Sequence, residues 1–124
     1  MLKYLNRSLF TGPYIALCTS ESDYLDELRR LKVKNGSLFI ANKQSDATTH
    51  HLEHCKYGDM FIVCVRKNDK KPEQVAGLLI HEAVHVWQHI RDSIGASEQE
   101  HEFEAYAIQS IAQNLIYAYR PRLF

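Results

Sequence analysis

The stretch between Pro72 and Gly95 constrains this chain more than any other. It is apolar with helical periodicity, and inside it stands His81-Glu82-Ala83-Val84-His85. Proline suits the first turn of a helix and glycine suits the residue just past its end, so a helix is predicted over about Pro72–Asp92, with Gly95 as its cap. Two histidines four apart share one helix face, about 6 Å apart along the axis. Both imidazoles then reach one divalent ion. Glu82 lands beside that ion, where a carboxylate can take a proton from bound water. The chain has 7 histidines, and its composition shuffled would give this five-residue pattern in roughly one chain in forty. The pattern therefore counts only with a helix under it and a third ligand near it.

The bland alternative is a pair of hydrogen-bonded histidines on an amphipathic helix. Against it, the neighbours are Leu78, Leu79, Ala83, Val84, Val86 and Trp87. Polar groups among such residues cost free energy unless something satisfies them, and a metal does so. Glu82 reads either as a surface carboxylate or as a general base. A purely structural zinc site has no use for it, which favours a catalytic zinc centre with an open position. For the third ligand, Glu98, Glu100, Glu102 and Glu104 all follow the helix. At about 100° per residue Glu104 falls in phase with Ile108, Ile111 and Leu115, the inward stripe of a second helix. An inward carboxylate must be paired or metal-bound. Glu100 is nearly in phase and is the rival, although Ser97-Glu98-Gln99-Glu100 has the spacing of a capping box.

At 124 residues the chain is read as a single domain spanning residues 1–124. Its formal net charge is +0, which offers no long-range field for nucleic acid or an anionic membrane. Two local basic groups, Arg29 to Lys34 and Arg66 to Lys71, read as solvated faces. Cys18, Cys55 and Cys64 are odd in number and irregular in spacing. A disulfide framework is not expected, and a reducing, cytoplasmic location is. The apolar run after Lys3 and Arg7 is broken by Gly12-Pro13 and reads as a strand lead-in rather than a signal peptide. No run reaches the roughly 18 apolar residues of a membrane helix.

Along the chain, Tyr14–Cys18 reads as a buried strand, and Ser20 or Ser22 caps a helix to about Leu31. Asn35-Gly36 marks a turn, Ser37–Ala41 a second strand, Thr48–Leu52 a third, Tyr57-Gly58-Asp59 a turn, and Met60–Val65 a fourth strand buried on both faces. A last helix runs to about Tyr117. The fold class expected is α+β: a small mixed sheet of 3–4 strands, an N-terminal helix, and two C-terminal helices. His89 extends the histidine row, but about 12 Å from His81 it is too far to share an ion. His50, His51, His54 and Cys55 form a second cluster, read as the polar side chains of an edge strand.

The series His81-Glu82-x-x-His85-x18-Glu104 resembles the gluzincin pattern of metallopeptidases, in which a second helix supplies a glutamate ligand. The order strand, helix, strands, metal helix, glutamate helix is similar to the zincin core over roughly residues 13–118. Leu78–Gln88 and Glu102–Gln109 also resemble small phage- and prophage-encoded metallopeptidases. The resemblance implies a minimal zincin-like fold, zinc held by His81, His85 and Glu104, and Glu82 as base and acid on a peptide or protein substrate. It also implies that the strand ahead of the last one is a cleft edge, so that His50 or His51 touches substrate. Two departures stand out. Ile108 occupies the position where many gluzincins carry an acidic residue that orients the first histidine. Read as a single domain, these 124 residues are expected to lack the separate C-terminal domain that supplies an oxyanion donor, for which His101, Tyr106, Tyr117 and Tyr119 are the candidates. The competing reading is a zinc-stabilised protein-interaction module that keeps the scaffold with little or no hydrolytic activity.

Overall fold

In a computed structural model, residues 1–5, 13–34, 36–55, 58–95 and 101–119 are described. They form four strands and three helices: β1 (Leu2–Tyr4), β2 (Tyr14–Cys18), α1 (Glu21–Arg30), β3 (Ala47–Cys55), β4 (Gly58–Val65), α2 (Pro72–Ile94) and α3 (His101–Tyr119). The class is α+β, as expected. The chain divides into two compact units, one made of Met1–Leu5 with Pro13–Asp69, the other containing the described residues from Lys70 onward.

The first unit is a four-stranded mixed sheet of order β1-β2-β4-β3. β2 and β4 run parallel, with Ala16 opposite Ile62 and Cys18 opposite Cys64. β1 and β3 are antiparallel to their neighbours. From Met60 to Val65 every residue of β4 is buried. That burial on both faces explains why its sequence is continuously apolar rather than alternating. β2 and β4 are parallel, so the chain must cross over between them, and α1 lies on that crossover.

α1 starts where Ser20 turns extended and its hydroxyl accepts from the Asp23 N–H at 3.3 Å. Glu21 and Asp23 sit at the positive end of its dipole, Arg29 and Arg30 at the negative end. Tyr24, Leu28 and the following Leu31 pack in one cluster with Ala16, Cys18, Leu52, Met60, Ile62 and Cys64. Below them, Glu27 is buried and accepts two bonds from Arg30, at 2.7 and 2.6 Å, and one from the Tyr4 hydroxyl. Arg30 holds the Glu27 carboxyl below the usual carboxylate range. Burial, and then the Glu27 contact, push the Tyr4 phenol up to about 12.

Two expectations change here. Ser37–Ala41 is not a strand. The Ser37 carbonyl accepts from the Tyr24 hydroxyl at 2.7 Å, and the Phe39 carbonyl from His50 Nε2 at 2.9 Å. Phe39 and Ile40 pack against the α1 cluster. Side chains thus satisfy carbonyls that a ladder would have used, and the apolar residues serve as a packing arm. β1 was not anticipated. Its three residues are half-buried or exposed, and it exists by pairing Leu2, Lys3 and Tyr4 with Cys18, Leu17 and Ala16.

The second unit contains α2 and α3. Pro72 occupies the first turn of α2, and the Lys71 N–H donates to the Gln74 side chain at 3.0 Å. Gly95 ends the helix in the left-handed region at φ 66°, its N–H bonded to the Arg91 carbonyl. The buried stripe of α2 is Val75, Leu79, Ala83, Val86, Trp87 and Ile90, and that of α3 is Ala107, Ile111, Ala112, Leu115, Ala118 and Tyr119. The predicted capping box at Ser97–Glu100 and the turn residues Asn35 and Tyr57 lie outside the described residues. No helix among the described residues is long and apolar enough to cross a membrane.

Candidate metal centre

The site is set by the pitch of α2. His81 and His85 sit on its exposed face, and Glu82, one residue round, is only 4% exposed. One ligand atom from each of the three residues falls within 4.8 Å of the others. It is the one group among the described residues with at least three such side chains. The imidazoles are thus less embedded in apolar surroundings than the flanking sequence suggests, and the desolvation cost falls on Glu82 alone.

The two rings face each other nearly edge-on, with centroids 4.8 Å apart and planes at 76°. Their Nε2 atoms are 3.1 Å apart. Two imidazole nitrogens in that arrangement either share a proton or point two lone pairs at one centre. Nitrogens 3.1 Å apart, each about 2.05 Å from an ion, would subtend about 98° at it, within reach of tetrahedral coordination. The donor set of two imidazoles and a neighbouring carboxylate therefore fits a divalent ion of the zinc type.

Gln88 was not singled out by sequence reasoning. Its Oε1 lies 3.3 Å from His85 Nδ1. An amide oxygen accepts from Nδ1–H, and that tautomer leaves the lone pair on Nε2, the atom facing His81. Such a contact, made from one turn along the same helix, would orient His85 if it ligates an ion. The signal was present as an i, i+3 spacing, but a glutamine at that spacing is common on any exposed helix face.

Glu104 lies outside the His81–Glu82–His85 group. Its Oε2 accepts from the Trp87 indole N–H at 2.8 Å and stands 3.6 Å from the Arg91 guanidinium. Trp87 is buried and packs on Phe103, ring centroids 5.6 Å apart. Helix phase placed Glu104 on the side of α3 turned toward α2, and it is half-buried there. Phase alone said nothing of Trp87 and Arg91, which lie farther along α2 than the two histidines. Glu98 and Glu100 fall outside the described residues, and Glu102 is exposed.

Among the oxyanion candidates, Tyr106 is 55% exposed on α3, and His101 and Tyr117 are also exposed. Tyr119 is buried. His50 and His51 belong to the first unit. β3 is an edge strand of the sheet. His50 points into the core, stacked on Tyr24 at 4.9 Å, and burial lowers its pKa against the opposing effect of the Phe39 bond. His51 takes the other face, stacked on Phe61 at 4.6 Å, with Glu53 at 3.6 Å and Asp59 at 3.9 Å.

No protein-family model, curated protein or solved structure matches this chain.

Proposed function

We propose that the protein is a zinc-dependent peptidase in which His81, His85 and Glu104 hold the ion and Glu82 is the general base. The observation that carries the reading is the pair of Nε2 atoms 3.1 Å apart with a buried carboxylate beside them. A zinc ion held there supplies Lewis acidity toward a carbonyl oxygen and lowers the pKa of a bound water to near 7. The rest belongs to the chain. Gln88 fixes the His85 ring and its tautomer. Glu82 takes the proton of the attacking water and returns it to the leaving amine nitrogen. Its burial keeps bulk water from competing for that proton and strengthens its electrostatic influence. Glu104, which stands outside the three-residue group and is engaged by Trp87 and Arg91 through Oε2, would complete the ligand set from α3.

The experiment is a pair of variants assayed for zinc content and for cleavage of a mixed peptide library. Glu82→Gln should retain one zinc per chain and lose at least about a hundredfold in hydrolysis, the size of a general-base contribution. His85→Ala should lose the zinc. Full hydrolysis by Glu82→Gln would overturn the mechanism, and unchanged zinc content in His85→Ala would overturn the site.

One observation favours a second reading. The hydrogen bond from Trp87 to Glu104 gives that carboxylate a structural role, tying α3 to α2. That suits a protein-interaction module in which zinc adds stability and little or no hydrolysis occurs. A chelator separates the two. For a peptidase it abolishes cleavage, whereas for a module it lowers only the melting temperature of a protein that never cleaved the library.

A further inference from the structure

Cys18 and Cys64 face each other across the two central strands. They are register partners on β2 and β4, which run parallel, so their side chains leave the same face of the sheet. Both belong to the cluster under α1, both are fully buried, and neither is in a disulfide. Neighbouring strands lie about 4.8 Å apart, inside the roughly 4.4–6.8 Å of Cα separation that a disulfide accepts. The Cys18 thiol also lies 3.1 Å from the Ser20 carbonyl, at the N-cap of α1.

We propose that Cys18 and Cys64 are a peroxide-responsive dithiol, closed by a small hydroperoxide into a disulfide across β2 and β4. The neighbouring Cys64 thiol draws the Cys18 thiol below the usual cysteine range, against the effect of burial. Cys18 also ends β2 beside the N-cap of α1, so it is the attacking sulfur. Its thiolate attacks one peroxide oxygen. The O–O bond breaks, hydroxide leaves and takes a proton to become water, and Cys18 becomes a sulfenic acid. Cys64 loses its proton and attacks the Cys18 sulfur. The S–S bond forms as the S–O bond breaks, and the departing hydroxide collects that proton as a second water. Two thiols and one hydroperoxide thus give one disulfide and two waters when the oxidant is hydrogen peroxide. The Tyr24 phenol, which senses both thiols and is pushed up to about 12 chiefly by burial, stays protonated beside them.

Burial sets the oxidant class. A sulfur with no exposed surface admits a small uncharged molecule more readily than a bulky disulfide. Cys18 is the last residue of β2 and is followed by half-buried Thr19 and Ser20, so fraying of a strand end is enough to open it. The expected reducing surroundings keep the pair open until such an oxidant arrives.

The test treats the reduced full chain with hydrogen peroxide, alkylates remaining thiols in denaturant, and maps the peptides by mass. The Cys18 and Cys64 peptides should appear joined, both protected from alkylation, and dithiothreitol should release both. In Cys64→Ser, dimedone should trap a sulfenic acid on Cys18. The proposal is overturned if the joined peptides contain Cys55 instead, or if both thiols remain alkylatable. It is equally overturned if Cys18 runs on to sulfinic acid while Cys64 stays free. Absence of the dimedone adduct in Cys64→Ser would overturn Cys18 as the attacking thiol. Should that variant not fold, the map of the unaltered chain decides alone.

Discussion

Glu104 carries two demands that one substitution separates. Its Oε2 receives the Trp87 N–H, and the proposed function asks it to serve as third ligand as well. In Glu104→Gln the amide oxygen still accepts from Trp87, so unfolding free energy should fall by about 1 kcal/mol or less, mainly through loss of the half-exposed Arg91 ion pair. A neutral amide is a far poorer zinc ligand, so zinc affinity should drop on the order of a hundredfold or more if Glu104 ligates. Denaturant melts and a zinc titration on the same sample read both quantities. Unchanged affinity with a small loss of stability would leave Glu104 as a helix tie alone. Gln88→Ala should behave in the opposite sense to a core substitution. Gln88 is exposed, so stability should move within about 0.5 kcal/mol, while zinc affinity falls roughly tenfold as His85 loses its orienting acceptor. An affinity unchanged by the alanine would show that the His85 ring is held without it.

At the scale of elements, the sheet unit concentrates the titrating groups. His50 is buried on β3 and its pKa is lowered from 6.5, so the unfolded chain binds that proton first as pH falls. Its contribution is therefore complete above about pH 6.5 and is lost as pH falls through the folded value. Glu27, lowered from 4.5 by Arg30, adds a second loss in the same direction below about 4.5. Tyr4 and Tyr24, raised from 10.0 to about 12, act oppositely: their stabilisation is complete below pH 10 and lost as pH rises toward 12. Melts across pH should give a plateau between the two limbs. In His50→Phe the acid limb should begin near 4.5 rather than 6.5, and a limb unmoved by that change would remove His50 from the account. The same unit shows what could be read in the sequence. β4 was legible because six consecutive apolar residues have few alternatives, and α1 because Ser20 and the leucine spacing agree. Ser37–Ala41 misled because β-like composition does not reveal that its carbonyls go to Tyr24 and His50. β1 was not legible, since three residues carry no period and depend on a partner strand. In the candidate site, His81, Glu82 and His85 were legible because helix pitch fixes them. The Trp87–Glu104 bond was not, because it depends on how α3 lies along α2.

For the whole molecule, the division into a sheet unit and a helix unit would make the proposed metal binding a local event with a local reporter. Trp87 is the only tryptophan of the chain, and its indole bonds to the carboxylate proposed as third ligand. A ligand that binds the folded form alone stabilises it by RT ln(1 + [L]/Kd), about 2.7 kcal/mol at a hundredfold excess over Kd. Zinc at that excess should therefore shift the melt followed by Trp87 fluorescence upward. Part of this shift would vanish in Glu104→Gln, and all of it in His85→Ala. The His50–Tyr24 stack and the Cys18–Cys64 pair belong to the other unit, where circular dichroism of the strands provides a second reading. If the two signals move together with zinc, the units unfold as one cooperative body. If only the Trp87 signal moves, the metal stabilises the helix pair alone. A shift in neither, at a zinc concentration shown by dialysis to fill the site, would mean that the ion binds folded and unfolded chains equally, which a site preformed by helix pitch cannot do.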